Sequence, residues 1–373
     1  MQNNQRNVMA EMNAPKVRTF PALEGAQHGP KGLVGFVRFI AEVAARFGIK
    51  IIGGQPSNFM LELPQKEQKA GKLFRPVEEI QGDFNANKVR LVGISAHCPF
   101  WVLLSAWTKT PTIRPFLPPQ VARKSPDYIF KWVEDYIIQL LDLCAALNVK
   151  IVPMFWGVAF GWEVATGYPW GFWKGADYDL LQEGRARFVK MTARIRAHAG
   201  KLGIYLCHEI HPGTAAMCAK DFNMLVDICS GDPCIASNHD GSHCWEGEDD
   251  QTRIVKVAKR TYAAHIKNKR RKAGFPLRSM VPDFQDRAMQ FTDLATGEDN
   301  LVRQVETLIH FGYVERYCKV MNTDMAPLVG EAESAFRDLD DTSANGLNYI
   351  DKQLCWPLAA GSFEEGMGAE KKK

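Results

Sequence analysis

The fold is decided by a short apolar stretch that ends in a carboxylate, Gly203-Ile-Tyr-Leu-Cys-His-Glu209. Its length and apolar content are typical of a buried β-strand. Three later stretches share this design: Cys234-Ile-Ala-Ser-Asn-His-Asp240, Thr261-Tyr-Ala-Ala-His265 and Ala326-Pro-Leu-Val-Gly-Glu331. Side chains at the C-terminal ends of successive strands can meet at one point if the strands are parallel and curl into a barrel. The sequence therefore predicts that Glu209, Asp240, His265 and Glu331 converge.

The residue types at these four positions indicate a metal site. Three carboxylates and one imidazole suit a hard or borderline divalent ion; Mn²⁺ is favoured, and Mg²⁺ and Co²⁺ are alternatives. Nine cysteines are present, but the number is odd and no Cys-x-x-Cys pair occurs. A disulfide framework or a zinc ribbon is therefore not expected.

The rest of the chain alternates strand-like runs with amphipathic helices. The predicted helices are Leu33–Phe47, Pro126–Leu147 with Ser125 as its N-cap, Leu180–Leu202, Thr214–Cys229, Asp250–Lys259 and Asn300–Phe311. The other predicted strands lie within Val17–Leu23, at Ile49–Ile52 before Gly53-Gly54, at Val89–Ile94 and at Val149–Phe155. Repeated β-then-α units indicate a parallel sheet, and their number suits eight better than five. We therefore expect the α/β class and a (β/α)8 TIM barrel.

The length of 373 residues fits one barrel with additions. We expect a flexible N-terminus at 1–16, a catalytic barrel at 17–335, and at 336–373 a C-terminal extension that packs on the barrel and ends in a flexible tail. Within the barrel, we expect an aromatic loop after strand four, at Trp156–Trp173, and a long loop after strand seven, at Lys267–Gly297.

Several classes of function find no support in the sequence. The net charge of +4 is small for this length, so no nucleic-acid partner is expected. Neither Gly-x-Gly-x-x-Gly after a strand nor Gly-x-x-x-x-Gly-Lys-Ser/Thr occurs. No run of about 18 apolar residues and no N-terminal apolar segment is visible, so we expect no membrane span, no secretory signal and a cytoplasmic protein.

Residues next to the four predicted ligands sharpen the expected site. His243 follows Asp240 by three positions, and Lys267 follows His265 by two, which places it on the same face of the strand. His97 and His211 lie at strand ends and are predicted to act as a general base or to bind substrate. Glu333 follows Glu331 by two positions, so either carboxylate could be the fourth ligand.

The aromatic loop after strand four lies on the face where barrels bind substrate. Its tryptophans Trp156 and Trp162 are therefore predicted to contact substrate, with core packing or a subunit interface as the alternative. The basic run Lys267-Asn-Lys-Arg-Arg-Lys272 is interpreted as a solvated loop apart from Lys267.

The order Glu209, Asp240-x-x-His243, His265, Glu331 resembles the xylose isomerase-like TIM barrels, which include sugar isomerases, ketose 3-epimerases and inosose dehydratases. The resemblance covers roughly residues 30 to 335. It implies a divalent metal that binds two oxygens of a hydroxyketone or oxo-sugar and stabilises the enediolate formed when a carbon-bound proton leaves. It also implies that Glu209 and Glu331 can act as acid and base.

The extra histidines His97 and His211 and the length of the chain favour one branch, similar to the α-subunits of C-glycoside deglycosidases. That resemblance implies Mn²⁺, a 3-oxo-glucoside substrate, proton removal at C2 and loss of the aglycone from C1 by β-elimination. It also implies a smaller β-subunit as partner, and we expect an oligomer. In this interpretation His97, His211, His243, Glu209 and Glu331 carry the catalysis, and Lys267 and Glu333 bind substrate.

Three other functions remain open at this point. The first is isomerisation or 3-epimerisation of a sugar or sugar phosphate. The second is an endonuclease IV-like phosphodiesterase, for which too few metal ligands can be placed. The third is a non-catalytic barrel, against which the complete ligand set argues.

Overall fold

A computed structural model of the chain describes residues 18–68, 72–159, 180–244, 248–274 and 289–355. Eight parallel strands form one sheet in the order β3-β2-β1-β10-β7-β6-β5-β4. Their bounds are Thr19–Glu24 (β1), Gly53–Gln55 (β2), Arg90–Leu91 (β3), Ile151–Met154 (β4), Tyr205–Glu209 (β5), Ile235–Asp240 (β6), Thr261–Ile266 (β7) and Ala326–Gly330 (β10). An antiparallel hairpin of Asn268–Arg271 (β8) and Met289–Thr292 (β9) lies outside this sheet.

The sheet closes on itself beyond the end of β3. The amide of Ile94 donates to the carbonyl of Ile151 at 3.4 Å, and the amide of Ala96 donates to the carbonyl of Pro153 at 2.8 Å. These bonds join the chain after β3 to β4, the opposite edge strand. The predicted α/β TIM barrel is thereby confirmed.

Helices follow the strands and cover the barrel. Their bounds are Gly32–Phe47 (α1), Val77–Ala86 (α2), His97–Ser105 (α3), Pro119–Ala122 (α4), Pro126–Ala146 (α5), Leu180–Leu202 (α6), Ala219–Ile228 (α7), Asp250–Val257 (α8), Leu301–His310 (α9), Tyr313–Met321 (α10) and Leu339–Tyr349 (α11). The hydroxyl of Ser125 accepts the amide of Tyr128 at the start of α5, so the expected N-cap is present. Within the described ranges, no helix is long and apolar enough to cross a membrane.

Two predicted elements are misplaced. Strand β2 occupies Gly53–Gln55, where a Cβ on Gly53 would lie 2.6 Å from Val92, so glycine is needed for close packing within the strand. The helix expected from Thr214 begins at Ala219. The hydroxyl of Thr214 instead donates to the carbonyl groups of His211 and Ala216, and these bonds stabilise a turn.

The segment after β7 also differs from the prediction. It contains the hairpin β8–β9 and is therefore structured on both sides of residues 275–288, which lie outside the described ranges. The basic run is not a solvated loop, because Lys269 is buried and its ammonium contacts the Asp299 carboxylate at 2.6 Å. In the extension, α11 packs on β1 and α1, and Ser343 bonds to the His28 ring at 2.9 Å.

Candidate functional site

The four residues predicted to converge lie together at the C-terminal end of the barrel. Glu209 and Asp240 end β5 and β6, His265 lies near the end of β7, and Glu331 follows β10 directly. The amide of Glu331 donates to the carbonyl of Ile266 at 3.1 Å, which extends the strand pairing and holds Glu331 beside β7. One ligand-type atom from each residue lies within 4.8 Å of the other three. The four could therefore hold one metal ion.

Several site atoms lack the partners that buried polar atoms require. Nδ1 of His265 lies 3.0 Å from Glu209 Oε2 and 3.2 Å from Glu331 Oε2, but neither contact has hydrogen-bond geometry. Among the described residues, His265 Nδ1, Asp240 Oδ2 and Glu331 Oε2 are all buried without a hydrogen-bond partner. Such a cluster of oxygen and imidazole donors fits a hard or borderline divalent ion.

The charges of the cluster also fit a cation. Burial raises the pKa of Glu209, but contacts with His243, His265 and His97 outweigh it and hold the pKa well below its usual range. Burial of Asp240 is likewise outweighed by His243, and its pKa is lowered. Burial of Glu331 is opposed by Lys267 and His265, which bring its pKa to about 2. The three carboxylates are therefore ionised at neutral pH, as metal binding requires.

Three further histidines surround this cluster. His243 Nε2 lies 3.2 Å from both Glu209 Oε1 and Asp240 Oδ2. His97 Nε2 lies 3.4 Å from Glu209 Oε2 and has no hydrogen-bond partner within the described ranges. The ring of His211 lies 4.0 Å from that of His243, and its Nδ1 is 2.5 Å from the carbonyl of Pro212. The structure thus brings all three predicted catalytic histidines next to the cluster of four predicted metal ligands.

The electrostatics of two of these histidines differ. Burial would lower the pKa of His243, but Asp240 and Glu209 raise it to about 9. Burial and the neighbouring His243 lower the pKa of His211 to about 3. In this arrangement one imidazole carries a proton at neutral pH while its neighbour is neutral.

Lys267 and Glu333 lie at the rim of the cluster. The buried Lys267 ammonium contacts Glu331 at 2.8 Å and Glu333 at 3.0 Å, and it lies 3.9 Å from the centre of the Phe291 ring. Gln27 donates to the same two carboxylates. Glu331 belongs to the group that can hold a metal, whereas Glu333 is absent from that group and is part of the Lys267 network.

Besides Gln27, two further polar residues of the site were not predicted. Glu24 ends β1, is buried, and accepts bonds from the Ser95 hydroxyl and the Ala26 amide. Burial and the nearby Glu331 raise its pKa. Gln55 ends β2, and its amide lies 2.8 Å from Nε2 of His265. Thr19-Phe-Pro-Ala-Leu-Glu24 has the same form as the four ligand-bearing stretches, so a signal for Glu24 was present in the sequence.

The structure describes only one of the two tryptophans that were predicted to contact substrate. The Trp156 side chain is 0% exposed, and its ring packs between Phe100 and Phe188 at centroid distances of 5.4 and 5.5 Å. The prediction that Trp156 contacts substrate is therefore wrong, because the ring belongs to the core between helices. Trp162 lies outside the described residues.

Comparisons with known proteins agree with this architecture. A family model described as "Xylose isomerase-like TIM barrel" matches residues 43–320. No curated protein sequence matches the chain. Among solved structures, a xylose isomerase-like TIM barrel protein from Mycobacterium smegmatis in complex with magnesium is 17% identical, with a TM-score of 0.53 over 90% of this chain and 96% of the other.

Two further structures are named as sugar epimerases. A 3-keto-D-glucoside 4-epimerase from E. coli is 11% identical, with a TM-score of 0.52 over 90% of this chain and 99% of the other. A D-allulose 3-epimerase from Methylomonas sp. is 15% identical, with a TM-score of 0.51 over 90% and 98%. At these identities the structural likeness shows the fold alone, while the family match spans most of the chain. The chain belongs to the xylose isomerase-like TIM barrel family.

Proposed function

We propose that this protein is a divalent-metal-dependent enzyme that removes a carbon-bound proton next to a carbonyl group of a sugar or 3-oxo-glycoside. The favoured reaction is β-elimination, which cleaves the C- or O-glycosidic bond of a 3-oxo-glucoside. The observation that carries this proposal is the convergence of Glu209, Asp240, His265 and Glu331 around atoms that lack hydrogen-bond partners in the described structure.

In this proposal the four residues hold one ion, Mn²⁺ by preference, with Mg²⁺ or Co²⁺ as alternatives. When bound, the ion supplies a positive charge that stabilises negative charge developing on the substrate carbonyl oxygen. The magnesium-bound neighbour from M. smegmatis supports a divalent metal in a barrel of this kind. Lys267 lies at the rim beside Glu331 and Glu333, where it and Glu333 can orient the sugar hydroxyl groups.

The histidines are proposed to move the protons. Glu209 and Glu331 would bind the metal in this proposal, and their pKa values are lowered. Both carboxylates are therefore weak bases in this site. His97 is proposed as the base, because its buried Nε2 lies beside Glu209 and has no hydrogen-bond partner in the described ranges. His243, whose pKa is raised, then gives a proton to the leaving group, and His211, whose pKa is lowered, binds the substrate.

The bonding changes of the elimination balance within the substrate. The base takes the C2 proton, the C–H electron pair forms a double bond between C1 and C2, and the bond from C1 to the aglycone breaks. The aglycone leaves with the electron pair of the broken C1 bond and takes a proton from the acid. A carbonyl at C3 makes the C2 proton acidic enough for a positioned imidazole.

The alternative is isomerisation or 3-epimerisation of a ketose or its phosphate, which begins with the same proton removal. Its support is that the Glu209 and Glu331 carboxylates lie close together, 3.0 and 3.2 Å from His265 Nδ1, and that the family resemblance assigns the acid and base roles of the epimerases to these two positions. By their names, both epimerase neighbours act on sugars, which supports a sugar substrate without deciding the outcome.

The deciding experiment measures aglycone release from a 3-oxo-glucoside, with and without Mn²⁺, beside a panel of ketoses under the same conditions. Metal-dependent release supports elimination, while ketose interconversion without release supports the alternative. Inactivity towards both, with tight metal binding, would contradict the proposed chemistry for the chain alone. The deglycosidase interpretation predicts a smaller partner subunit, and the next experiment repeats the assay with that subunit added.

Two variants distinguish an effect on the metal site from an effect on the rest of the barrel. Glu209→Gln is expected to abolish metal-dependent turnover, because it removes a ligand charge at the centre of the cluster. The matched control is Glu134→Gln, which neutralises a buried carboxylate on α5 that pairs with Lys131 and Arg194. Full activity of Glu209→Gln would contradict the proposal.

A further inference from the structure

A buried arginine lies directly behind the metal cluster. Arg253 is on α8 and only 2% exposed. Its Nε contacts the Glu248 carboxylate at 3.1 Å. Its two terminal nitrogens donate to four backbone carbonyls, of Ile210 at 2.9 Å, Asp240 at 3.3 Å, Met217 at 3.3 Å and His243 at 3.4 Å. These contacts use all five N–H donors of the guanidinium.

Three of the four carbonyls belong to the segments that carry the site, and the fourth, of Met217, lies two residues before α7. Ile210 directly follows Glu209, and Asp240 and His243 are themselves site residues. The short helix Gly241–His243 joins them, and the Asp240 carboxylate accepts its Ser242 amide at 2.8 Å. One side chain therefore ties the ends of β5 and β6 to the turn that presents His243.

We propose that Arg253 is a positioning residue that sets the geometry of the metal site without touching metal or substrate. The inference rests on the proposed function. A guanidinium is planar and rigid, so bonds from it fix the directions of the carbonyls and hence of the attached Cα–Cβ bonds. Glu248 balances the buried charge, which would otherwise be costly. The result is that the carboxylate of Asp240 and the imidazole of His243 are held facing the cluster before metal binds.

Strand β6 provides a matched control at its amino-terminal end. Arg260 donates to the carbonyls of Asp232, Ile235 and Gly231 at the start of β6. Both arginines thus bind backbone carbonyls around β6, one beside the site and one at the opposite end. If Arg253 were only a scaffold residue, its replacement and that of Arg260 would have the same consequences.

The test compares Arg253→Lys with Arg260→Lys by calorimetric Mn²⁺ titration and by the visible absorption of the Co²⁺-loaded protein. Lysine keeps the charge but cannot reproduce the planar set of donors. We expect both variants to lower the melting temperature. Only Arg253→Lys should weaken Mn²⁺ binding, by about 10- to 100-fold, and alter the Co²⁺ spectrum, as for other residues that orient metal ligands.

The outcomes are distinct. Wild-type affinity and spectrum in a folded Arg253→Lys protein would overturn the inference while leaving the metal site intact. Absence of metal binding by the wild type would overturn the proposed function and the inference with it. If Arg253→Lys does not fold, Glu248→Gln is the milder variant, since it removes only the charge that holds Nε. An affinity equal to that of wild type in this variant would also count against the inference.

Discussion

The two ends of the barrel differ in whether certain buried polar groups have hydrogen-bond partners. At the amino-terminal end, Arg260 and Tyr313 donate to carbonyl groups near the start of β6 and β10. At the carboxyl-terminal end, Asp240, His265 and Glu331 each keep a buried atom without a hydrogen-bond partner among the described residues. An unsatisfied buried polar atom costs about 1–3 kcal/mol. The hydrogen bonds of Arg260 and Tyr313 therefore contribute stability, and the three unpartnered atoms at the other end carry a cost that a bound cation would remove.

The first test of this contrast is metal-dependent stability, where we expect the largest effect. A metal present at 100 times its Kd stabilises the folded state by about 2.7 kcal/mol, so the melting temperature should rise by several degrees over the EDTA-treated protein. Asp240→Asn should abolish this rise, because it removes one ligand charge. Thermal unfolding with and without Mn²⁺ measures both.

Glu134→Gln is the control for that experiment, since it should keep the full metal-induced rise while lowering the baseline stability. An equal rise in Asp240→Asn would show that the ion binds elsewhere, and the contrast between the two ends would then have no functional meaning.

The second test concerns His28, which lies beyond β1 at the carboxyl-terminal end but outside the metal cluster. Burial lowers its pKa to about 4, from an ordinary value near 6.5. The unfolded chain therefore takes up a proton between these values that the folded chain does not, and stability falls as the pH decreases from 6.5 to 4. The loss attributable to His28 should be roughly 1–3 kcal/mol.

The measurement is urea unfolding of wild type and His28→Gln at pH 7 and pH 4.5 in EDTA. The advantage of wild type should be full at pH 7 and smaller at pH 4.5. A constant difference would mean that the ring, which bonds to Ser343 of α11, is protonated equally in both states.

The sequence could predict those features of the site that are visible in neighbouring residues, and it could not predict those that depend on packing between distant segments. The ligand stretches combine an apolar strand with a terminal carboxylate or imidazole, and both features are visible in the residues themselves, so the convergence of Glu209 and Asp240 could be predicted. Gln55 could not, because its three-residue strand contains two glycines and depends on close packing against Val92. Trp156 was misjudged because the same aromatic residue can face the substrate or the helix layer, and only packing decides. Arg253 could not be predicted, since most of its partners are backbone carbonyl groups, such as those of Ile210 and Met217, that only the fold brings to it.

The third test asks whether a hydrogen bond at the carboxyl-terminal end serves the metal. The Gln55 amide nitrogen lies 2.8 Å from Nε2 of His265. If Nδ1 of His265 binds the ion, Nε2 carries the proton, and the Gln55 amide, turned by 180°, would accept this proton through its oxygen. Gln55→Leu should weaken Mn²⁺ binding about tenfold, whereas Gln55→Glu should preserve or strengthen it. Calorimetric titration distinguishes the two, and equal affinities in both variants would show that Gln55 does not orient the imidazole.

The last and smallest effect is expected at the amino-terminal end. The hydroxyl of the fully buried Tyr313 donates to the carbonyl of Pro327 in β10 at 2.5 Å. Tyr313→Phe removes this bond and should cost about 1 kcal/mol of unfolding free energy, measured by urea titration. Because Pro327 lies four residues before Glu331, at the far end of the strand, Mn²⁺ affinity should stay within about twofold of wild type. Gln55→Leu and Tyr313→Phe each remove one buried hydrogen bond, so a loss of metal affinity in both would mean that the two ends are coupled and that the division between them fails.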